Sequence, residues 1–282
     1  MKKSLVILLV TFAILNSHAQ TPTTSANLPL STQLTISKAS VYNQNNEVLN
    51  VFLIANSNNQ SKGTGFLIKS GHVITNEHVI HGARLDQITL VSPNGHLMTV
   101  NNVVKDTLRD LAILTLTKPM AGGFELADDN AVLIGEQVYS WGYPLEYNGP
   151  APLLSVGYVA GISAYQPYVN KFVKHFVVNG ALNPGNSGGP LINSGKVVGV
   201  VQSKASPITP YILSALQALN NNSSGFMYNG TDANGKPFQK SEGQVIGEIL
   251  TYYREISQVM IGEAVTVSVL KDFLNEQKIK GY

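Results

Sequence analysis

Short β-prone runs separated by glycine, asparagine and proline dominate the chain from Val48 onward and restrict the folds that it can adopt. Runs of this length between turn residues are typical of an all-β sandwich or barrel. Examples are residues 48–54, 65–68, 88–91, 111–116, 137–140, 156–162, 172–178 and 197–201. Apolar residues at helical spacing are confined to the last third of the chain and predict helices over residues 211–219, 249–260 and 268–278. The sequence therefore predicts an all-β fold with a few late helices.

Residues 1–19 have the pattern of a secretory signal peptide. A positively charged start at Lys2 and Lys3 is followed by the apolar run 5–15 and by a small-residue cleavage site that ends at Ala19. The apolar run is shorter than the roughly 20 residues that a membrane span needs. We therefore expect cleavage near Ala19, a mature form without a membrane span, and a periplasmic or secreted location. An uncleaved membrane anchor is the alternative.

The charge and the cysteine content of the chain exclude several classes of protein. Of the 19 Lys and Arg residues, Lys2 and Lys3 lie in the leader, and the remaining 17 equal the 17 Asp and Glu residues. No basic cluster of the kind that binds nucleic acid is present in the sequence. Cysteine is absent, which excludes disulfides and a thiol nucleophile, and no residue cluster predicts a metal site or a cofactor.

Residues 183–190 read Asn-Pro-Gly-Asn-Ser-Gly-Gly-Pro, which places Ser187 between glycines. Glycine tolerates left-handed backbone dihedrals, and the proline at each end restricts the chain. Such a loop can present the hydroxyl of Ser187 while successive backbone N–H groups point to the same place. This is the geometry of a nucleophile beside an oxyanion hole. A tight turn without chemistry is the alternative, and a base and a carboxylate elsewhere in the chain decide between the two.

A serine nucleophile needs a histidine base that is held in one tautomer by a carboxylate. His78 follows an apolar strand that breaks into a helical turn, which would aim the imidazole from a rigid element; His72 and His81 are the rivals. Asp110 stands at the head of an apolar strand and is the best-placed carboxylate. Asp106, four residues earlier, is interpreted as a turn-stabilising aspartate, although the two aspartates could exchange these roles.

Four segments of the sequence resemble the HtrA/Deg type of trypsin-like serine proteases. They are Gly-Thr-Gly-Phe-Leu-Ile at 63–68, Ile-Thr-Asn-Glu-His-Val at 74–79, Asp-Leu-Ala-Ile-Leu at 110–114, and the serine loop 183–190. The order of histidine, aspartate and serine matches the chymotrypsin-like arrangement, and the separations of 32 and 77 residues suit that fold. The resemblance covers residues 48–203 and resumes at 264–267, before the closing helix.

The resemblance implies two six-stranded antiparallel β-barrels (chymotrypsin-like) with a C-terminal helix and a partly helical insertion. The protease domain would span residues 47–282, with barrel one at 47–135, barrel two at 136–282 and the insertion at 204–263. Residues 20–46 would form an N-terminal arm, through which members of the family form homo-oligomers. The chain ends soon after the closing helix, so no PDZ domain is expected.

The resemblance also assigns catalytic roles. His78 would act as general base and then general acid, Asp110 would orient it, and Ser187 would attack the scissile carbonyl of a protein or peptide substrate. The backbone N–H groups of Gly185 and Ser187, together with Asn186, would form the oxyanion hole. Asn186 stands where digestive relatives have an aspartate that pairs with a freed N-terminus, so activation by that ion pair is not expected.

The substrate preference follows from the residue six positions before the serine. Digestive relatives that select Lys or Arg have an aspartate there, whereas this chain has Ala181. We therefore expect a preference for small or apolar residues before the scissile bond. The pocket would be lined by Ala181, Leu182, Val200, Val201 and Gln202, and the strand 197–202 would pair with the substrate backbone.

The 60 residues between Ser203 and Ala264 exceed the length of an ordinary connection. They form either a helical cap beside the substrate cleft or a surface elaboration without a catalytic role.

Two alternatives to the function of the whole chain remain open. One is a narrow-specificity endopeptidase of the glutamyl or exfoliative-toxin kind, whose members usually have Gly-Asn-Ser-Gly-Ser where this chain has Gly-Asn-Ser-Gly-Gly. The other is a binding protein that keeps the protease fold without the activity.

Overall fold

A computed structural model gives the architecture of the chain. The structure describes residues 28–39, 44–129, 132–145, 147–168, 171–202, 217–221, 225–231, 236–256 and 261–282. Fourteen strands within these ranges include two sets of six that close into antiparallel barrels. The predicted fold class is therefore confirmed. The predicted signal peptide lies outside the described residues, as do residues 20–27 and 40–43 of the predicted N-terminal arm.

Barrel one closes in the strand order β1-β2-β3-β6-β5-β4. Its strands are β1 (Val51–Asn56), β2 (Ser61–Leu67), β3 (His72–Thr75), β4 (Ile88–Val91), β5 (Leu97–Asp106) and β6 (Leu111–Leu116). Alternate side chains of these strands fill the barrel, including the fully buried Phe52, Leu67 and Leu90. The pairing of β3 with β6 sets Thr75 opposite Ala112, so the two strand ends that carry His78 and Asp110 meet at one rim.

Barrel two closes in the order β10-β11-β14-β9-β8-β7. Its strands are β7 (Gln137–Gly142), β8 (Leu153–Tyr168), β9 (Lys171–Gly180), β10 (Pro190–Asn193), β11 (Lys196–Val201) and β14 (Ile261–Thr266). The hairpin of β8 and β9 is the longest in the fold, and its register shifts between Val159 and Gly161. Strand β14 follows the predicted insertion in the chain. It pairs with β9 on one side and β11 on the other, which closes the barrel.

Outside the barrels, the described residues include the helices α1 (Leu30–Lys38), α2 (Glu242–Ile256) and α3 (Val267–Glu276), and a small hairpin of β12 (Met227–Thr231) with β13 (Pro237–Ser241). Helix α3 buries Leu270, Phe273 and Leu274, the apolar face that its sequence predicts. Helix α2 begins seven residues before the predicted 249–260, whose last four residues lie outside the described ranges. Residues 217–221 are helical, and the earlier part of the predicted helix 211–219 is not described. No helix within the described ranges is long and apolar enough to cross a bilayer.

The two barrels are held together by a cluster of buried apolar side chains. It combines Phe66 and Ile74 of barrel one with Trp141 and Tyr143 of barrel two and Phe273 of α3. Each fully buried large apolar side chain contributes roughly 1.5–3 kcal/mol relative to leaving it exposed. Because the chain has no cysteine, disulfides cannot stabilise its fold, and this shared apolar core contributes to its stability instead.

A carboxyl group is buried at the same junction. Glu47 is 3 % exposed, and the hydroxyl of Tyr139 donates to its carboxyl group from a position 3.0 Å from each oxygen. Burial raises the pKa of Glu47 from 4.5 to about 7, against the opposing effect of hydrogen bonds from Tyr139 and Trp141. The folded protein therefore holds a proton on Glu47 at pH values at which the unfolded chain has lost it.

We expect the free energy of unfolding to fall as pH rises from 4.5 to about 7, because the folded state binds more protons than the unfolded state over this range. The shift corresponds to about 3 kcal/mol of stability. Glu47→Gln should remove this loss. The difference in free energy of unfolding between variant and wild type should therefore grow from pH 4.5 to about 7 and stay constant at higher pH. Urea unfolding at pH 4.5 to 8.5 measures the difference, with the exposed Glu242→Gln as the matched control. Parallel curves for wild type and Glu47→Gln would contradict the expectation.

Candidate active site

His78 begins a single 3₁₀ turn (His78–Ile80), which two residues separate from the end of strand β3, so a rigid strand end positions its imidazole. Its Nδ1 lies 2.7 Å from Oδ2 of Asp110, and its backbone N–H donates to Oδ1 of the same carboxylate at 3.0 Å. The His78 side chain is 48 % exposed, whereas that of Asp110 is 15 % exposed. A carboxylate facing Nδ1 favours the tautomer with the proton on Nδ1, which leaves Nε2 as the basic nitrogen.

Asp110 occupies the left-handed region with a φ of +52°, immediately before strand β6. The side-chain amide of Asn76 donates to its carbonyl oxygen at 2.8 Å, and Nε2 of Gln202 donates to Oδ2 at 2.8 Å. Burial acts to raise the pKa of Asp110, but the hydrogen bonds and charge of His78, with the bond from Gln202, lower it below its ordinary value. The carboxylate is therefore ionised at neutral pH.

The turn before Asp110 is fixed from several sides. Oδ1 of Asp106 accepts hydrogen bonds of 3.0 Å from the N–H groups of Leu108 and Arg109, which makes Asp106 the turn-stabilising aspartate. The guanidinium of Arg109 contacts Asp106 and both carboxylate oxygens of Glu276, at 2.7 Å each. Because Glu276 ends helix α3, the C-terminal helix holds the turn that precedes Asp110.

The histidine rivals contact other partners. Nδ1 of His72 lies 3.1 Å from the hydroxyl of Ser70, and Nδ1 of His81 lies 2.9 Å from Glu77. Both contacts are local, within four residues along the chain. Of these three histidines, His78 is the one that contacts Asp110.

The serine loop begins with a type II turn. The N–H of Asn186 donates to the carbonyl of Asn183 at 3.0 Å, Pro184 takes the second position, and Gly185 takes the third with a φ of +94°. The carbonyl of Pro184 accepts a bond of 2.7 Å from the N–H of Leu145. Since the N–H and C=O of a trans peptide point in opposite directions, the N–H of Gly185 points away from Leu145. It has no hydrogen-bond acceptor within the part of the chain that the structure describes.

This geometry corrects one expectation from the sequence. Asn186 was expected to help bind an oxyanion, but its backbone N–H is used in the turn and its side chain is 2 % exposed. That prediction is wrong, because the direction of a backbone N–H depends on the turn type. Gly185 and Ser187 remain the candidate donors.

Glycines bring Ser187 against the strand end that carries His78. Gly188 has a φ of +84°, and a Cβ on it would lie 2.2 Å from the hydroxyl of Thr75 and 3.0 Å from the backbone nitrogen of Asn76. Only glycine permits this approach of the two chain segments. Ser187 itself is 4 % exposed, and its loop is held to β11 by a bond of 2.7 Å from the N–H of Gly188 to the carbonyl of Val201.

The predicted pocket residues occupy different surroundings. Leu182, Val200 and Val201 are buried in the cores, and Ala181 is exposed beside them. The side chain of Gln202 contacts Asp110, a role that the sequence did not indicate. The segment 203–216, which continues from Gln202, lies outside the described residues.

A second residue that sequence reasoning missed is Thr64 of strand β2. It is fully buried, and its backbone N–H donates to the carbonyl of Ser187 at 2.8 Å. The available signal was its place between Gly63 and Gly65, since glycines on both sides of a strand residue mark a close approach of another segment. A Cβ on Gly63 would lie 2.6 Å from Val79 and 3.2 Å from the carbonyl oxygen of Ser187.

Comparisons with known proteins agree with this arrangement. Residues 63–200 match the family model of the trypsin-like peptidase domain. The putative serine protease HhoB of Synechocystis sp. is 32 % identical over 146 residues, which are 50 % of this chain and 34 % of that protein. The probable periplasmic serine endoprotease DegP-like of Chlamydia trachomatis is 31 % identical over 141 residues, which are 49 % of this chain and 27 % of that protein. The chain spans about a third or less of the length of these curated relatives.

Solved structures show the same fold. The active form of the Rv3671c protease from M. tuberculosis superposes with a TM-score of 0.57 at 19 % identity, covering 95 % of this chain and 96 % of that one. The HtrA-type protease AlgW with a tripeptide has a TM-score of 0.55 at 18 % identity, covering 90 % and 63 %. The two barrels and the family match over residues 63–200 show that this chain carries a trypsin-like peptidase domain, and its relatives include serine proteases with HhoB and DegP-like names.

Proposed function

We propose that this protein is an exported serine endopeptidase that hydrolyses peptide bonds through Ser187, His78 and Asp110. The observation that supports it most is the double contact of the Asp110 carboxylate with the ring and the backbone of His78. An ionised carboxylate in this position holds the imidazole in one tautomer and stabilises its charged form. The relatives named as serine proteases support the same chemistry.

In the proposed mechanism, the hydroxyl of Ser187 attacks the scissile carbonyl while Nε2 of His78 takes its proton. The resulting oxyanion is bound by the N–H groups of Gly185 and Ser187, and His78 then gives the proton to the leaving amine. This leaves an acyl-enzyme on Ser187. Water, deprotonated by His78, hydrolyses the ester and restores the serine. Asp110 stays ionised throughout and changes no bond.

The proposal extends to substrates and location. Ala181 is exposed at the position where an acidic residue would select Lys or Arg, so small or apolar residues should be preferred before the scissile bond. A pocket that discriminates by methylenes gives only about 10–200-fold selectivity, so exposed segments of many proteins would be cleaved. The pattern of residues 1–19 favours export, and relatives carry periplasmic names. Assembly into homo-oligomers is part of the same proposal.

A fluorophosphonate probe tests the nucleophile directly. Wild type should be labelled at one equivalent per chain, and Ser187→Ala should not be labelled at all. Ser70→Ala is the matched control, because Ser70 also has its hydroxyl beside a histidine ring, 3.1 Å from Nδ1 of His72, and should leave labelling unchanged. Absence of labelling in wild type with a normal unfolding transition would reject the enzyme in favour of a binding protein. Mass-spectrometric profiling of a denatured protein digest then separates broad cleavage from a narrow, glutamyl-type preference.

A further inference from the structure

Thr64 lies where barrel one meets the serine loop of barrel two. It belongs to strand β2, it is fully buried, and its hydroxyl faces the other barrel. Four hydrogen bonds connect it to its surroundings: Oγ1 donates to the carbonyl of Gly185 at 2.7 Å and accepts from the N–H of Tyr143 at 3.0 Å, the backbone N–H donates to the carbonyl of Ser187 at 2.8 Å, and the backbone carbonyl accepts from the hydroxyl of Thr75 at 2.7 Å.

Two of these bonds need the hydroxyl. Any residue at this position could donate its backbone N–H to Ser187, but the bonds to Gly185 and Tyr143 require one group that both donates and accepts. A Cβ on Gly142 would lie 3.2 Å from Oγ1 of Thr64, and a Cβ on Gly189 would lie 3.2 Å from its methyl group. The site is therefore packed closely on both sides of the threonine side chain.

The hydroxyl acts on the part of the loop that can rotate most easily. Gly185 has no Cβ, so the peptide units on either side of it can turn at little steric cost unless they are held. The carbonyl of Pro184 is held by Leu145, and the carbonyl of Gly185 is held by Thr64. Together the two bonds fix the peptide units before and after Gly185, and with them the direction of its N–H.

The same strand also holds the segment that contacts Pro184. Lys62 lies two residues before Thr64, on the same face of β2, and its Nζ donates to the carbonyl of Tyr147 at 2.8 Å. Residues 143–145 and 147 are thus tied to barrel one at Thr64 and Lys62, and to the serine loop at Leu145. Barrel one therefore positions both segments that meet in the bond from Leu145 to Pro184: residues 143–147 and the serine loop.

We propose that Thr64 is a positioning residue whose hydroxyl holds the turn 183–186 with the N–H of Gly185 directed toward the substrate carbonyl. The inference rests on the proposed peptidase function. It assigns to barrel one, beyond His78 and Asp110, the alignment of the oxyanion donor on barrel two. Loss of the hydroxyl leaves the carbonyl of Gly185 and the N–H of Tyr143 without their partner, so the peptide unit after Gly185 keeps only the bond from Asn186 to Asn183 and the turn is fixed less firmly.

Thr64→Val, which keeps the shape of the side chain and removes the hydroxyl, should lower kcat for a peptide substrate by about 10–100-fold and change KM by less than about threefold. Thr64→Ser should restore kcat to within about threefold of wild type. Thr32→Val is the matched control, because Thr32 is equally buried and donates to the carbonyl of Pro93 at 2.7 Å, outside the site. It should lower the unfolding temperature without changing kcat. Should Thr64→Val not fold, Thr64→Ala carries the same expectation.

The amide NMR resonances of Asn183 and of residues 185–187 give a readout that does not depend on activity. Thr64→Val should shift them and Thr64→Ser should leave them near their wild-type positions. A wild-type kcat in Thr64→Val or Thr64→Ala, or unshifted resonances in the loop, overturns the proposal. If wild type neither hydrolyses peptides nor reacts with a fluorophosphonate, the peptidase assignment fails, and the resonances alone decide whether Thr64 holds the turn.

Discussion

Replacing Asp110 with asparagine should lower kcat for peptide hydrolysis by about 10⁴-fold in a protein that still folds. The carboxylate accepts three hydrogen bonds, from Nδ1 and the backbone N–H of His78 and from Nε2 of Gln202. An asparagine offers one accepting oxygen and one donating NH₂ group, so one of these donors must face another donor. The backbone N–H of His78 can only donate, whereas the imidazole can change tautomer, so the amide oxygen faces the backbone N–H and the NH₂ group faces Nδ1. The ring proton then moves to Nε2, which leaves no basic nitrogen toward Ser187. Steady-state kinetics on a peptide substrate measures the loss.

Asp106→Asn distinguishes this role from that of a nearby aspartate. Asp106 stabilises its turn through Leu108 and Arg109, and it does not contact His78. We expect a lower unfolding temperature and a kcat within about tenfold of wild type, since only the placement of the turn is affected. A loss of about 10⁴-fold in Asp106→Asn together with a small loss in Asp110→Asn would mean that the two aspartates have exchanged the expected roles.

The sequence predicted most of the barrels because strand formation there follows local patterns. The expected runs at 88–91 and 111–116 coincide with strands β4 and β6, whose buried residues alternate or are continuous. Strand β5 was not among the runs that the sequence analysis singled out, because half of its side chains are exposed and only that of Val100 is buried. Its pairing with β6 supplies the hydrogen bonds that define it as a strand. Helix α1 was missed for a related reason. Its buried Thr32 is held by Pro93, 61 residues away, and a contact at that distance has no local signature.

The candidate site divides in the same way. His78 and Asp110 could be predicted because each follows or precedes an apolar strand and the family order is preserved. Gln202 was expected in the substrate pocket, yet its amide reaches Asp110 across the barrel junction. Thr64 gave only the weak signal of its flanking glycines. Contacts between the barrels depend on how two closed sheets pack, and that packing is not encoded in the pattern of either sheet.

Gly185→Ala should lower kcat by about 10³-fold, the upper end of what loss of an oxyanion donor costs. Gly185 has a φ of +94°, and a Cβ on it would lie 2.4 Å from the carbonyl oxygen of Tyr143 and 2.6 Å from the nitrogen of Leu145. These neighbours are backbone atoms of the segment that holds the turn, so they cannot move aside as a side chain would. The turn must rotate or shift, and the N–H of residue 185 then no longer faces the substrate carbonyl.

Gly135→Ala separates this effect from backbone strain alone. Gly135 has a φ of +95°, almost the same as Gly185, but a Cβ on it would meet nothing within 4 Å. Its substitution should cost roughly 1 kcal/mol of stability and leave kcat unchanged. Kinetics and thermal unfolding of both variants make the comparison. The close contacts with residues 143–145 mean that the turn cannot keep its position in Gly185→Ala. If this variant lost about as much stability as Gly135→Ala and still kept the wild-type kcat, the N–H of residue 185 would not be an oxyanion donor.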